Sequence, residues 1–453
     1  MFIVLDTARA DRFSYAGWPH ETTPNIDALT ADAVVYSGAH SVAPWTLPSH
    51  MSMFTGLFPG QHGATWNRFD GLGSMKALMN QSLRPADPER MLGRRLKDAG
   101  YTTVGVSHNP WISERTGFDE GFDALHAAWR ESAGGAGTRA ERCLALFEQH
   151  LGEHGPLGRP AFLFFNFTDP HYPYELPDGG AARFGGDEAL HADWFADGAT
   201  GRPREIDILS GATEVDVAAF GPFYDSALHT ADVVVGRLID WLKAEGRYEG
   251  ALIVITSDHG EHLGEQGRFS HQLSVEEELL RVPLVIKYPG GAGAGSVEPE
   301  ALVSPLDLYA TLLSAAGDES WRPHSMARDL ADMERFDRRR LVAEYYPSSS
   351  YLEVLRRSNP AFDVQEHDTV RRAVYEGGHK YVFRDLVLES IDGVPVGAGG
   401  AEPDASAQNV TRFLADYVRS VRETVGPQAQ GNTDDPELLR ALEALGYIGG
   451  EDG

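Results

Sequence analysis

Short, largely apolar runs alternate along this chain with longer stretches in which apolar positions recur at helical spacing. Phe2–Leu5, Ala33–Tyr36, Tyr101–Ser107, Ala161–Phe167, Ala251–Thr256 and Val282–Lys287 are of the first kind, the pattern of strands buried on both faces of a parallel sheet. Between them, Thr23–Asp32 keeps Ile26, Leu29 and Ala33 on one helical face, and Thr138–His154 and Ser304–Ala316 also read as helices. Phe220–Gly246 is a long one, with Tyr224, Leu228, Val233, Leu238 and Leu242 at roughly helical spacing, and Pro88–Ala99 is stopped by Gly100. A further helix starts at Thr46-Leu47-Pro48, runs through the apolar stretch Met51–Leu57, and is closed by Pro59-Gly60 and His62-Gly63. This alternation predicts an α/β fold, a mainly parallel sheet sandwiched by helices.

From about residue 335 the pattern changes. Arg340–Tyr346 and Val370–Arg384 carry strand-like segments, the second broken by a turn at Gly377-Gly378. They predict a smaller C-terminal subdomain with an antiparallel sheet, and so a division into residues 1–335 and 336–453. Residues 64–87 read as a loop over the site, 178–213 as an insertion or lid, 388–408 as a surface loop, and 436–447 as a short amphipathic helix.

The 453 residues can bury a large core, and 42% hydrophobic with 10% aromatic residues is the composition of a globular protein. No apolar run approaches a membrane span. The N-terminus lacks a basic region and a small-residue cleavage site, which points to a cytoplasmic chain or one lacking an upstream piece. The single cysteine, Cys143, excludes an intrachain disulfide. A net charge of −28 argues against a nucleic-acid backbone as partner.

Polar groups with chemistry cluster at the predicted strand ends. Asp6 ends the first strand, Asp258-His259 follows Ala251–Thr256, His171 follows Ala161–Phe167, and His108-Asn109 follows Tyr101–Ser107. Such positions face the crevice where open α/β sheets bind ligands. Thr46 falls at or near a helix N-cap, among unpaired backbone donors that favour an anion or an alkoxide; a capping threonine without chemistry is the plainer reading. Asp, Asp, His and a hydroxyl form a ligand set for one divalent ion, Mn²⁺, Ca²⁺, Mg²⁺ or Zn²⁺.

At these residues the chain resembles the sulfatase branch of the alkaline-phosphatase-like superfamily. The stretches that carry the resemblance are Val4–Asp11, Thr23–Asp27, Thr46–His50, Phe54–Pro59, Asp169–Tyr174, Ser257–Glu261 and Leu280–Leu284. It implies one metal held by Asp6, Asp258, His259 and Thr46, with Thr46 as nucleophile. It further implies His171 on the leaving oxygen of the ester, His50 and His271 on its non-bridging oxygens, and Asn67 and Asn109 as substrate contacts. Glu261 would orient a ligand, while His40, His62 and His262 are expected to be structural.

Departures from the family pattern shape the expected reaction. The nucleophile position holds Thr46, which cannot become formylglycine as the usual Cys or Ser does, and His50 stands at the usual Arg position. Thr7 replaces the second Asp of the N-terminal pair, and His259 follows Asp258 where many sulfatases have Asn. These features resemble phosphodiesterases and phosphoglycerol transferases of the superfamily. The expected activity is therefore metal-dependent hydrolysis of a small-molecule sulfate or phosphate ester by Thr46. The alternatives are a phosphodiesterase or phosphoglycerol-type transferase on the same scaffold, and a non-catalytic metal- or anion-binding relative. The oligomeric state is left open.

Overall fold

The computed structural model describes residues 1–65, 87–130, 137–195, 205–298, 301–322, 326–332, 340–396 and 403–424. Asn67 and the expected helix at 436–447 lie outside the described residues, as does most of the 64–87 segment.

Among the described residues the main sheet has eight strands; numbering all strands in chain order, they run across the sheet as β10 (Ser296–Val297), β2 (Val34–Val35), β9 (Leu284–Lys287), β6 (Ile253–Thr256), β1 (Phe2–Leu5), β5 (Ala161–Phe167), β3 (Thr102–Ser107) and β4 (Ala124–Ala127). Neighbours run parallel except around β9, which is antiparallel to both β2 and β6. A separate hairpin pairs β7 (His262–Leu263) with β8 (Phe269–Ser270).

The unbroken apolar character of the central strands has a direct cause, since successive side chains feed cores on opposite faces. Phe2, Val4, Phe164 and Val254 pack with Met51, Phe54 and Leu313 from the Thr46–Thr55 and Leu308–Ala315 helices. Ile3, Leu5, Phe165 and Ile255 pack on the other face with Ile26, Phe147 and Leu238, from the Pro24–Thr30, Arg139–His154 and Gly221–Ala244 helices. Cys143 is buried in that second core. Among the described residues no helix is long and apolar enough to cross a membrane.

The second sheet is antiparallel: β11 (Leu341–Tyr345), β12 (Arg371–Glu376), β13 (His379–Arg384), β14 (Val387–Ile391) and β15 (Val394–Pro395). The surface loop expected from residue 388 is in part a hairpin. Asp392 and Gly393 turn it at φ 49° and 78°, a conformation that Asp-Gly supplies and that matches the twist of the flanking strands. The Thr46 helix also ends earlier than expected. Gly56, at φ 67°, donates its N–H to Ser52 and closes the helix, while Pro59–His62 forms a short helix of its own.

Glu344 on β11 clamps the second sheet to the Pro59–His62 and Ala405–Thr424 helices. Its carboxylate, 1% exposed, accepts from Gly60 N–H at 2.8 Å, Tyr417 Oη at 2.7 Å, Tyr346 Oη at 2.7 Å and Arg372 Nε at 3.0 Å. A Cβ on Gly60 would come within 2.8 Å of the Tyr346 hydroxyl, so only glycine allows that approach. Glu344→Ala strands a buried guanidinium and three further donors, and urea unfolding should show stability reduced by about 3–5 kcal/mol. An unchanged denaturation midpoint would show that this clamp contributes nothing.

Candidate active site

Parallel pairing sets two carboxylates side by side. Val4 stands opposite Thr256 in the β1–β6 register, and two residues on from each of this pair Asp6 comes next to Asp258. The chain leaves β1 through Thr7 at φ 59°, a left-handed turn that costs a threonine strain and persists only where neighbours impose it. Here they do. Thr7 N–H donates to Asp258 Oδ1 at 3.3 Å, Tyr224 Oη donates to Thr7 O at 2.8 Å, and Ala8 N–H donates to Ser257 Oγ at 2.9 Å.

Asp6, Asp258 and His259 bring one ligand atom each to within 4.8 Å of one another, and all three are fully buried. His259 Nε2 is 3.3 Å from Asp258 Oδ2 and 3.7 Å from Asp6 Oδ1. Its Nδ1 lies 3.0 Å from Gly260 O, which turns Nε2 toward the carboxylates. Asp6 Oδ1 and Asp258 Oδ2 accept no hydrogen bond, which is costly for buried carboxylate oxygens unless a cation meets them. Burial, and then the charge of Asp258, raise the Asp6 carboxyl well above its ordinary range. Burial acts the same way on Asp258, but His259 and His50 outweigh it and hold that carboxyl low. The donor set thus fits one hard or borderline divalent cation.

Thr46 is the first residue of its helix, next to Trp45 at the N-cap position, and so near the cap as expected. Pro48 lies in the first turn, where its missing N–H is no loss. The buried Thr46 hydroxyl lies 3.4 Å from His259 Nε2 and accepts from Asn109 Nδ2 at 3.2 Å. Asn109 also donates to Asp6 Oδ2 at 2.7 Å. It therefore ties the hydroxyl to the carboxylate cluster, a place for which its expected role as a substrate contact made no provision.

His50, one turn along that helix, is occupied by protein at both ring nitrogens. Nδ1 lies 3.0 Å from Thr46 O and 3.3 Å from Asp258 Oδ2, and Nε2 lies 3.3 Å from Asn166 Nδ2. Sequence reasoning passed over Asn166, although a lone amide inside the apolar run Phe162–Phe167 was a signal. Its Oδ1 accepts from Ser107 Oγ at 3.1 Å.

His171 and His271 meet at their Nε2 atoms, 3.1 Å apart, and the His271 ring lies 4.5 Å from that of His259. Burial lowers both imidazoles, His171 to about 3. Arg139 fastens the His171 loop by donating to the carbonyls of Thr168, His171 and Pro173 at 2.8–2.9 Å. Glu261 fastens it again, accepting from Tyr174 Oη at 2.6 Å and Tyr172 N–H at 3.4 Å. Burial pushes the Glu261 carboxyl up to about 8. Outside this cluster, His62 sits 3.0 Å from Ser52 Oγ under the Thr46 helix, and His40 pairs with Glu277 at 3.1 Å.

The sequence model named Sulfatase matches residues 1–318. The chain is 23% identical over 355 residues to the sulfatase YidJ of Escherichia coli, covering 70% of this chain and 68% of that one. It is 25% identical over 317 residues to an ulvan-active sulfatase of Formosa agariphila, covering 66% of this chain but only 48% of the relative. The phosphonate monoester hydrolase of Silicibacter pomeroyi shares the fold, with a TM-score of 0.64 at 18% identity, over 94% of this chain and 95% of that one. The match over residues 1–318 covers every described member of the buried cluster, and with it the chain belongs to the sulfatase family.

Proposed function

We propose that this protein is a metal-dependent hydrolase of small-molecule sulfate or phosphate esters, with Thr46 as nucleophile. The observation that carries this reading is the buried Thr46 hydroxyl at a helix start, beside two carboxylate oxygens that accept no hydrogen bond. Asp6, Asp258, His259 and Thr46 would hold the ion, which when bound lowers the pKa of the hydroxyl and polarises an ester oxygen.

The rest falls to this chain's own groups. Thr46 Oγ bonds to sulfur or phosphorus in line as the ester oxygen departs, leaving a covalent intermediate on Thr46. The proton lost by Thr46 ends on the departing alcohol, delivered by His171. His271 donates to the non-bridging oxygens. Water then attacks the intermediate, releases sulfate or phosphate, and restores the hydroxyl. His50 is assigned a different place from the oxyanion contact first expected. From its contacts with Asp258, the Thr46 carbonyl and Asn166, it holds the carboxylate and the helix start in position. Asn109 aims the Thr46 hydroxyl in the same way.

A phosphodiester substrate is the favoured variant within this reading, because an unmodified threonine cannot release sulfate through an aldehyde hydrate. Group transfer to an alcohol would use the same covalent intermediate.

Thr46→Ala should abolish turnover of an aryl sulfate, an aryl phosphate and an aryl phosphodiester, whichever the parent hydrolyses, while Thr46→Ser keeps measurable activity. Turnover by the alanine variant would remove Thr46 as nucleophile. A saturating divalent cation should raise the unfolding temperature of the metal-stripped parent. The gain corresponds to about 2.7 kcal/mol at a hundredfold excess over Kd, and Asp6→Ala should lose it. Equal shifts in both proteins would place the ion elsewhere.

A further inference from the structure

His271 sits in a segment held against its own backbone preference. Ser270 and Leu273 have φ of 62° and 68°, a region that residues with a Cβ seldom occupy. Such a backbone persists only where surrounding bonds impose it. For Ser270 that bond comes from a residue 65 positions earlier in the chain, since its hydroxyl donates to Glu205 Oε1.

Glu205 opens the Glu205–Leu209 helix, which packs against β8. It is 3% exposed. Among the described residues, Glu261, in the segment after β6, and Tyr172, in the loop after β5, are the titratable groups that act on it. Neither offers a positive charge. The Ser349–Ser358 helix on the other side presents Tyr351, Leu352 and Leu355 to Ile206, and Ser358 to Asp207. Burial, with Glu261 adding to it, pushes the Glu205 carboxyl up to about 8, so it keeps its proton at neutral pH.

We propose that Glu205 is a positioning residue that aims His271 at the reacting ester by locking Ser270 in its left-handed turn through the Ser270 hydroxyl. This rests on His271 donating to the ester's oxygens, as argued above.

The test compares Glu205→Ala, Glu205→Gln and Ser270→Ala on whichever aryl ester the parent hydrolyses. Imidazole ¹⁵N spectra of each follow, with the His271 signal assigned by its loss in His271→Gln. Glu205→Ala should lower kcat about 10- to 100-fold, the usual cost of removing a partner that orients a functional group, with KM little changed. Glutamine is uncharged and keeps the acceptor, so Glu205→Gln should restore kcat close to the parent value. The His271 signal should move in Glu205→Ala and stay in Glu205→Gln. Ser270→Ala, which removes only the donor, should follow Glu205→Ala and serves in its place if that variant does not fold.

An unchanged kcat in a folded Glu205→Ala, a loss confined to KM, or a glutamine variant as poor as the alanine one would overturn the proposal. If the parent hydrolyses none of the esters, the ester reading fails by itself. The Glu205 anchor then stands or falls on whether the His271 signal moves in Glu205→Ala and is restored in Glu205→Gln.

Discussion

Two buried carboxylates brought together by neighbouring strands set the terms for everything around the site. Asp6 and Asp258 end adjacent parallel strands, so the hydrogen-bonded spacing of the sheet fixes how near they stand. Like charges at that range in a buried setting are strongly unfavourable unless opposite charge or donors meet them. Most neighbouring features answer that constraint. His259 and His50 face Asp258, Asn109 donates to Asp6, and the N–H of Thr7 reaches back to Asp258 even at the expense of a left-handed threonine. Asp6 Oδ1, which accepts no hydrogen bond among the described residues, and Asp258 Oδ2, faced only by the two histidine rings, mark the natural place for a cation.

Holding such a cluster demands a rigid surround, and the surround is built from loops pinned by buried polar groups. The segment between β5 and the insertion passes His171 between Arg139 and Glu261, each making several bonds to backbone or hydroxyl. Around these bonds, Tyr172, Tyr174, Phe195, Phe220, Phe223 and Phe269 form an aromatic shell. The described part of the 178–213 insertion is therefore packed structure that bears on both histidines. The second sheet contributes from further away. Its inner face shares one hydrophobic core with the Thr46 helix, Glu344 ties it to Gly60 just beyond that helix, and Tyr375 and Lys380 tie it to Glu277 of the Glu277–Leu280 helix.

The composition and pattern of the chain alone determined the α/β alternation, the buried parallel strands, the antiparallel C-terminal sheet, and the strand ends bearing Asp6, Asp258 and His259. They did so because apolar runs, periodicity and chain direction are local properties, and because strand ends in a parallel sheet must converge on one edge. Thr46 was legible for the same reason, as a hydroxyl beside a proline-marked helix start. Other features depended on which segments come to lie together. Ring orientation turned His50 onto Asp258 and Asn166, and loop closure set Asn109 between Asp6 and Thr46. Only tertiary packing decided that Glu205 would stand against Ser270 and that Glu344 would meet four donors. Hydrogen bonds between residues tens to hundreds of positions apart leave no periodic trace in a sequence. The partners of a buried polar group are chosen by the fold that buries it.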